Sequence, residues 1–305
     1  MITGATTPLG LGLVERLLAN PATELVLAIG RHGTAVPSNP RVHYHALDLA
    51  HARPMHDLLW GHARTHAIET VVHTMQHRGA AGRGPAVHAQ NVESTRALVL
   101  GAARHPSIRH VVVRSFSEVY ALPHATPDLL DEDSPLEFGA GAPQWIRDRV
   151  EADVVACLAD RAPLVVTVLR CAEIFAPDMG SQLWDYLRSR VCLRPAGFDP
   201  ILNVLSLADA IAAFTAAVER RVAGAFNIVG RDSLPLSQVI ARGGRISIPV
   251  PSRLLSPLYR LRRRIAGFEF RYDLNLQRFH FGGVLDGARA RDQLGYEPRT
   301  AVTWR

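Results

Sequence analysis

The 305-residue chain contains no lysine, because all 34 of its lysine-or-arginine positions are arginine. No Schiff base, no lysine-based phosphate loop and no lysine-assisted tyrosine can therefore form. Cysteine is scarce. Cys157, Cys171 and Cys192 are odd in number and lack paired spacing, which argues for reduced thiols and against a disulfide framework or a zinc site. Apolar runs are broken by Arg, His or Pro before the ~18 residues a membrane helix requires. No basic segment followed by an apolar stretch opens the chain as a secretory signal would, so a cytoplasmic location is expected. Acids are interspersed with the bases through most segments. The net charge of +6 is spread among interspersed acids, so nucleic acid is not an expected partner.

What is present is apolar material, 48% of residues, arranged as short runs that alternate with amphipathic stretches. That alternation predicts a parallel sheet covered by helices. Met1–Ala5 is expected to be the end of a strand, Glu24–Gly30, Val42–Leu49, Thr70–Thr74 and Leu164–Ile174 to be strands, and His110–Tyr120 a strand running into a loop. Helices are expected over Leu9–Ala19, Asn91–Arg104 and Pro143–Ala159. After Pro177 the alternation loosens. The expected organisation is a doubly wound α/β dinucleotide domain over residues 1–177, rejoined by 203–231, with a smaller lobe over 178–305. Only Met1 and Ile2 precede Thr3, so the natural or expressed chain is expected to start a few residues earlier.

Thr3-Gly4-Ala5-Thr6-Thr7-Pro8-Leu9-Gly10 joins a strand end to a helix start. A glycine in such a turn lets the backbone approach a pyrophosphate, and the helix N-terminus then faces the anion. An ordinary strand–helix turn is the competing reading. About twenty residues on, the second strand ends at Gly30-Arg31 without the acid that would bind a ribose 2′-hydroxyl. Arg31 suits a 2′-phosphate instead, so NADP is favoured over NAD, unless Arg31 is merely solvated.

Several segments together are similar to the NAD-dependent epimerase/dehydratase group of extended short-chain dehydrogenases. Thr3–Gly10 resembles its TGxxGxxG loop, with Thr7 at the middle glycine. His45-Ala-Leu-Asp48-Leu49 resembles the segment beside adenine, and Thr70–Thr74, containing His73, the strand beside the nicotinamide ribose. Asn91–Thr95 resembles NVxGT, Arg114–Tyr120 SSxxVYG, and Glu132–Pro135 the acidic substrate-side loop. Leu169–Pro177 resembles LRPxxVYGP, Phe226–Gly230 FNIGG, and Asp286–Pro298 the DxSKAxxxLGWxP ending. The resemblance implies a Rossmann fold with a C-terminal substrate lobe, and often a homodimer built on two long helices. It places the cofactor against Thr3, Gly4, Thr6, Thr7, Pro8, Leu9, Gly10, Arg31, Asp48, Leu49, His73, Thr74, Asn91 and Arg149.

That family uses a Ser or Thr four residues before the VYG tyrosine to polarise the reacting group, and a Tyr-x-x-x-Lys pair to exchange the proton. Here Phe116 holds the polarising position, flanked by Ser115 and Ser117, while Trp145 and Arg149 replace the tyrosine and lysine. An indole N–H has no accessible acid–base equilibrium, and arginine stays protonated above pH 12. Tyr186-x-x-x-Arg190 and Tyr259-x-x-x-Arg263 repeat the spacing outside the dinucleotide domain. Two readings stay open. Either Ser115, Ser117, Tyr120 and Arg149, with Glu118 and Glu173 nearby, form a rearranged catalytic site for an unidentified small molecule, or the chain is a silent cofactor-binding regulatory or scaffold protein. Leu202 stands where nucleotide-sugar enzymes commonly have a diphosphate-binding arginine. Arg253, Arg260, Arg262, Arg263 and Arg264 could compensate.

Those arginines lie in Ser252–Arg264, interleaved with Leu254, Leu255, Leu258 and Leu261. A third reading follows, a lipid-modifying enzyme with weak membrane-surface contact, against the simpler one of a solvated helix with a core-facing leucine stripe. Of the 14 histidines, His43 and His45 share a strand face, but no third ligand is placed by sequence, and no metal is expected.

Overall fold

A computed structural model describes residues 1–31, 36–77, 79–122, 129–267 and 270–304. Seven strands form the central sheet: β1 Ile2–Thr3, β2 Val26–Gly30, β3 Val42–Ala46, β4 Thr70–His73, β5 His110–Phe116, β6 Val165–Cys171 and β7 Gly224–Ile228. They pair in the order β7-β6-β5-β4-β1-β2-β3, all parallel. β2 and β5 are buried along their whole length. Continuous Val/Ile/Leu runs do this when helices cover both faces of a parallel sheet. The chain winds outward from β1 to β3, then returns to begin again at β4. The crevice beyond the carboxyl ends of β1 and β4 is thus the topological switch point, where α/β sheets bind ligands.

Helix α1 spans Pro8–Leu18. Thr7 caps it by accepting from Gly10 N at 3.0 Å, Pro8 occupies its first turn, and Leu9, Leu13 and Val14 bury its inner face. The second long helix, α2, starts at Pro85, six residues before the Asn91 start expected from periodicity. Its segments Pro85–His88, Ala89–Glu93 and Ser94–Ala102 run on through a π-helical turn. Gly84 before it has φ +93° and Pro85 suits a first helical turn, a start signal that an apolar pattern does not contain. Helix α3 spans Gln144–Cys157 and α4 Leu207–Arg220. β5 ends at Phe116 and runs into a 3₁₀ turn over Ser117–Val119, as the strand-into-loop reading of that segment expects.

Beyond β6 a lobe packs around Tyr186, Tyr259, Phe270, Tyr272 and Phe279. Ile201–Leu205 does not join the central sheet. It pairs antiparallel with Asp232–Pro235 and parallel with Glu173–Ile174. Helix α5, Ser252–Ala266, buries Leu255 and Tyr259 and leaves Leu254, Leu261 and Ile265 exposed.

Two core histidines make the fold acid-sensitive. His73 Nε2 lies 3.1 Å from Thr95 Oγ1, whose own proton goes to Asn91 O, so Nε2–H is the donor and Nδ1 accepts from Thr3 at 2.8 Å. His110 Nε2 similarly faces Thr167 at 2.9 Å, and Thr167 donates to Val222 O. Burial lowers both rings to about 4, with Arg221 adding to the effect on His110. A depressed histidine favours folding while it stays neutral. The unfolded ring takes up a proton near pH 6.5 and the native ring only near 4, so stability is complete above 6.5 and falls as the pH drops through that window. Each ring should cost about 2 kcal/mol at pH 5 relative to pH 8. Thermal melts should show the loss, and His110→Gln should remove about half of it. A midpoint unchanged from pH 8 to 5 would refute this account.

Candidate functional site

The β1–α1 loop is built by close backbone approach. Gly4 has φ +73°, and a Cβ there would sit 2.7 Å from Thr74 Oγ1. A Cβ on Gly10 would sit 2.2 Å from Gly4 O and 2.7 Å from Ala5 Cα. Both glycines are thus required by space, and Gly4 also by its backbone angle. Thr7, at the middle-glycine position, donates to Gly4 O at 2.9 Å while capping α1. Pro8 has no N–H and Thr7 takes that of Gly10, so by position Leu9 contributes the first-turn amide left for an anion. Thr74 Oγ1 donates to Thr3 O at 2.8 Å, fixing the loop against β4.

This loop borders a cavity of about 380 Å³ with Thr6, Gly30, Arg31, Met75, Gln76 and His77 among its lining residues. Arg31 lies 3.9 Å from Asp48, both half exposed. Asn91 accepts from His77 N at 2.8 Å and donates to the buried Asp148 at 3.3 Å. Four of the predicted contact positions meet a ligand through their backbone at most. Leu9 and Leu49 point into the core, His73 is enclosed between Thr3 and Thr95, and Thr74 spends its hydroxyl on Thr3. The cradle in which a Cβ would collide and the helix terminus fit a dinucleotide.

The proton-relay positions hold a different assembly. Arg149 lies over the Phe116 ring at 3.6 Å and over Trp145 at 4.6 Å. It pairs with Glu118 at 3.2 Å, Glu118 with Arg278 at 3.1 Å, and Arg278 with Glu173 at 2.7 Å. Glu173 also accepts from Ser181 Oγ and Leu183 N. Burial pushes Glu118 up, but Arg278 and Arg149 outweigh this and hold it below the usual carboxylate range. Burial also lowers Arg149 against the opposing pull of Glu118. The Trp145 N–H donates to Leu274 O at 3.3 Å.

Ser115 and Tyr120 belong to a second buried network. Ser115 donates to Asp153 at 2.5 Å, and Arg170 grips the same carboxylate at 3.0 and 2.8 Å. Tyr120 donates to Asn227 at 2.6 Å and accepts from Arg170 at 3.1 Å, and burial raises its hydroxyl to about 12. Of the four residues read as a rearranged catalytic set, Ser117 and Tyr120 border the second cavity, about 370 Å³, between β5 and the lobe. Ser115 lies beneath it and Arg149 is committed to Glu118. Arg278 escaped the sequence reading, since it sits 105 residues from Glu173 in no recognisable motif.

A glycine cradle at the switch point of a doubly wound parallel sheet defines a Rossmann-type fold. The chain belongs to the NAD dependent epimerase/dehydratase family, whose profile matches residues 1–193. It is 32% identical over 307 residues to the uncharacterized protein Rv0501 of Mycobacterium tuberculosis, covering 98% of this chain and 80% of that protein. A 3-diazoavenalumate denitrifying reductase of a Streptomyces species is 29% identical over 211 residues, 67% of this chain and 65% of the reductase. Among solved structures, MoeE5 in complex with UDP-glucuronic acid and NAD superposes with a TM-score of 0.71 at 18% identity, covering 98% and 93% of the two chains. DesIV, a dTDP-glucose 4,6-dehydratase from Streptomyces venezuelae with NAD bound, gives 0.71 at 18% identity, covering 98% and 92%. These likenesses establish the same fold.

Proposed function

We propose that the chain binds NADP(H), or NAD(H) more weakly, in the β1–α1 cavity and acts as an atypical oxidoreductase or epimerase on a small molecule held in the second cavity. The observation that carries this reading is the cradle at Gly4 and Gly10, which the backbone closes so tightly that no other residue fits. Bound there, the cofactor supplies hydride exchange. Gly4, Gly10 and the α1 terminus hold its pyrophosphate, Arg31 its 2′-phosphate, and Arg149 with Phe116 and Trp145 walls the reacting end. The Streptomyces relative is named for a reduction, which favours the oxidoreductase side.

Titration of NADPH and NADH fluorescence tests it. NADPH should bind at least tenfold more tightly, and Arg31→Ala should erase most of that preference, because a charge-assisted phosphate contact contributes about 1.5–3 kcal/mol. The Asp48 pair at 3.9 Å is exposed enough to yield to a phosphate. Equal affinity for both cofactors would overturn the preference, and no binding of either would overturn the function.

The silent-binder reading has its own support in the engaged Tyr120 hydroxyl and the Trp145 N–H bonded to Leu274. Stereospecific hydride transfer to any substrate excludes it. Two further parts of the proposal concern partners. Leu100 on α2 and Leu158 after α3 are exposed, beside an Arg96–Glu151 bond that ties the helices, and this face suits a homodimer. On α5, the exposed Leu254, Leu261 and Ile265 beside Arg253, Arg260 and Arg264 suit weak contact with an anionic membrane surface. No helix among the described residues is long and apolar enough to cross a membrane. Cys157, Cys171 and Cys192 are unpaired, in keeping with a cytoplasmic setting.

A further inference from the structure

The second cavity has an unusual charge inventory. Its walls are largely apolar, with Leu122, Leu130, Ile146, Leu202, Leu274 and Leu285. Among the described residues its charged lining is three acids, Glu118, Glu137 and Asp273, and one base, Arg278. Arg278 is shared between Glu118 and Glu173, and Asp273 pairs with Arg271. Among the described residues the Glu137 carboxylate has only a backbone partner, accepting from Gly139 N at 2.7 Å. Turning Arg278 toward a ligand would leave the buried Glu173 with no cation and Glu118 with Arg149 alone, which is unfavourable. Among the described residues, a phosphate or carboxylate entering here meets no cation outside an ion pair, whereas a cation meets Glu137.

Among the described residues, the same region holds no poised proton donor. Trp145 and Tyr120 have spent their protons on Leu274 O and Asn227, and Ser115 is bound to Asp153. Ser117 is a simple alcohol. A ketone that accepts hydride becomes an alkoxide and needs a proton in the transition state. An iminium carbon does not. Its new C–H bond takes the hydride's electron pair, the C=N π pair moves to nitrogen as a lone pair, and a neutral amine results. The reductant, a reduced nicotinamide, is left as its oxidised cation.

We infer that the second cavity takes an apolar cationic hydride acceptor of the iminium class, not a nucleotide sugar. The inference rests on the cofactor reading above for its redox half, but the charge preference of the cavity can be measured without cofactor.

Isothermal titration of the full chain, alone and loaded with whichever reduced cofactor it binds, should compare N-methylquinolinium, naphthalene-2-methanol, naphthalene-2-carboxylate and UDP. The cation should bind about tenfold more tightly than the alcohol, and the two anions should not bind. Glu137→Gln should remove the preference for the cation while leaving the alcohol's affinity unchanged. In the loaded protein, N-methyl-3,4-dihydroisoquinolinium should be reduced at a rate flat from pH 6 to 8, and 1-tetralone should not be reduced. UDP or the carboxylate binding as tightly as the cation, no binding of the cation at millimolar concentration, or comparable turnover of tetralone each overturns the inference. Failure of the cofactor to bind, with the cation preference intact, overturns the proposed function and leaves the charge preference of the cavity standing.

Discussion

Changing Gly10 to alanine should weaken NAD(P)H binding at least 100-fold, the largest loss expected from adding a single methyl group to this chain. The added Cβ would meet three backbone atoms, with Gly4 O only 2.2 Å away, and no side chain there can swing aside. The loop must move by about 1 Å to admit it, carrying Gly4 and the Leu9 amide away from the anion they would hold. A 100-fold change corresponds to about 2.7 kcal/mol, well within the combined effect of overpacking and a lost charge-assisted hydrogen bond. Gly4→Ala should be comparably damaging, since it forces a side chain onto φ +73° as well as against Thr74. Gly61→Ala is the control, because nothing lies within 4 Å of its Cβ position and binding should be unchanged. Circular dichroism should show that the Gly10 variant folds. If it binds cofactor within threefold of the wild type, the cradle is not the cofactor site.

The sequence made this cradle legible because everything needed to recognise it is local. Gly4, Thr7, Pro8 and Gly10 lie within one turn of chain, and the strand and helix around them announce themselves by period. The strand run was readable for the same reason: buried parallel strands such as Val111–Val113 are continuous apolar runs. The ends of elements were less legible. Thr74 left the strand because its hydroxyl turns back to Thr3 O, and the second long helix gained its first turn from Gly84-Pro85. The chemistry of the second cavity was legible only as an absence. That Phe116, Trp145 and Arg149 replace the expected residues could be read, but their stacking could not. Arg278 reaches Glu118 and Glu173 only through the tertiary fold, and charge pairs so distant in sequence leave no periodic trace. Tyr120 and Ser115 are legible through their motif, but the groups that engage them are not. Arg170 and Asp153, which hold them, lie on a strand and a helix whose contact sequence alone does not specify.

Removing the Asp153 carboxylate should produce the largest loss of stability available outside the apolar core. Asp153 is fully buried and receives two bonds from Arg170, one from Ser115 and a longer one from Cys157. Arg170 in turn supports the Tyr120 hydroxyl and bonds Glu132 O at 2.9 Å. In Asp153→Ala the guanidinium stays buried with no counter-ion, and its remaining partners, a phenol and a carbonyl, do not replace the lost charge. Breaking a buried pair in this way typically costs 3–5 kcal/mol, which for a chain of this size lowers the melting temperature by about 10 °C. The loss should reach past stability. Tyr120 would lose a properly placed donor, and Asn227, which also bonds Leu130 O, would lose its fixed partner, so the wall of the second cavity should loosen. Asp153→Asn preserves shape and one acceptor and should cost less. The double change Asp153→Ala with Arg170→Met removes both charges together and should recover much of the stability, because a buried ion pair is worth little over apolar packing of similar volume. Thermal denaturation of the wild type, Asp153→Ala, Arg170→Met and the double variant measures the coupling directly. If Asp153→Ala melts within 2 °C of the wild type, or the double variant is less stable than the single one by the full cost of Arg170→Met alone, the pair is not the electrostatic anchor of this wall.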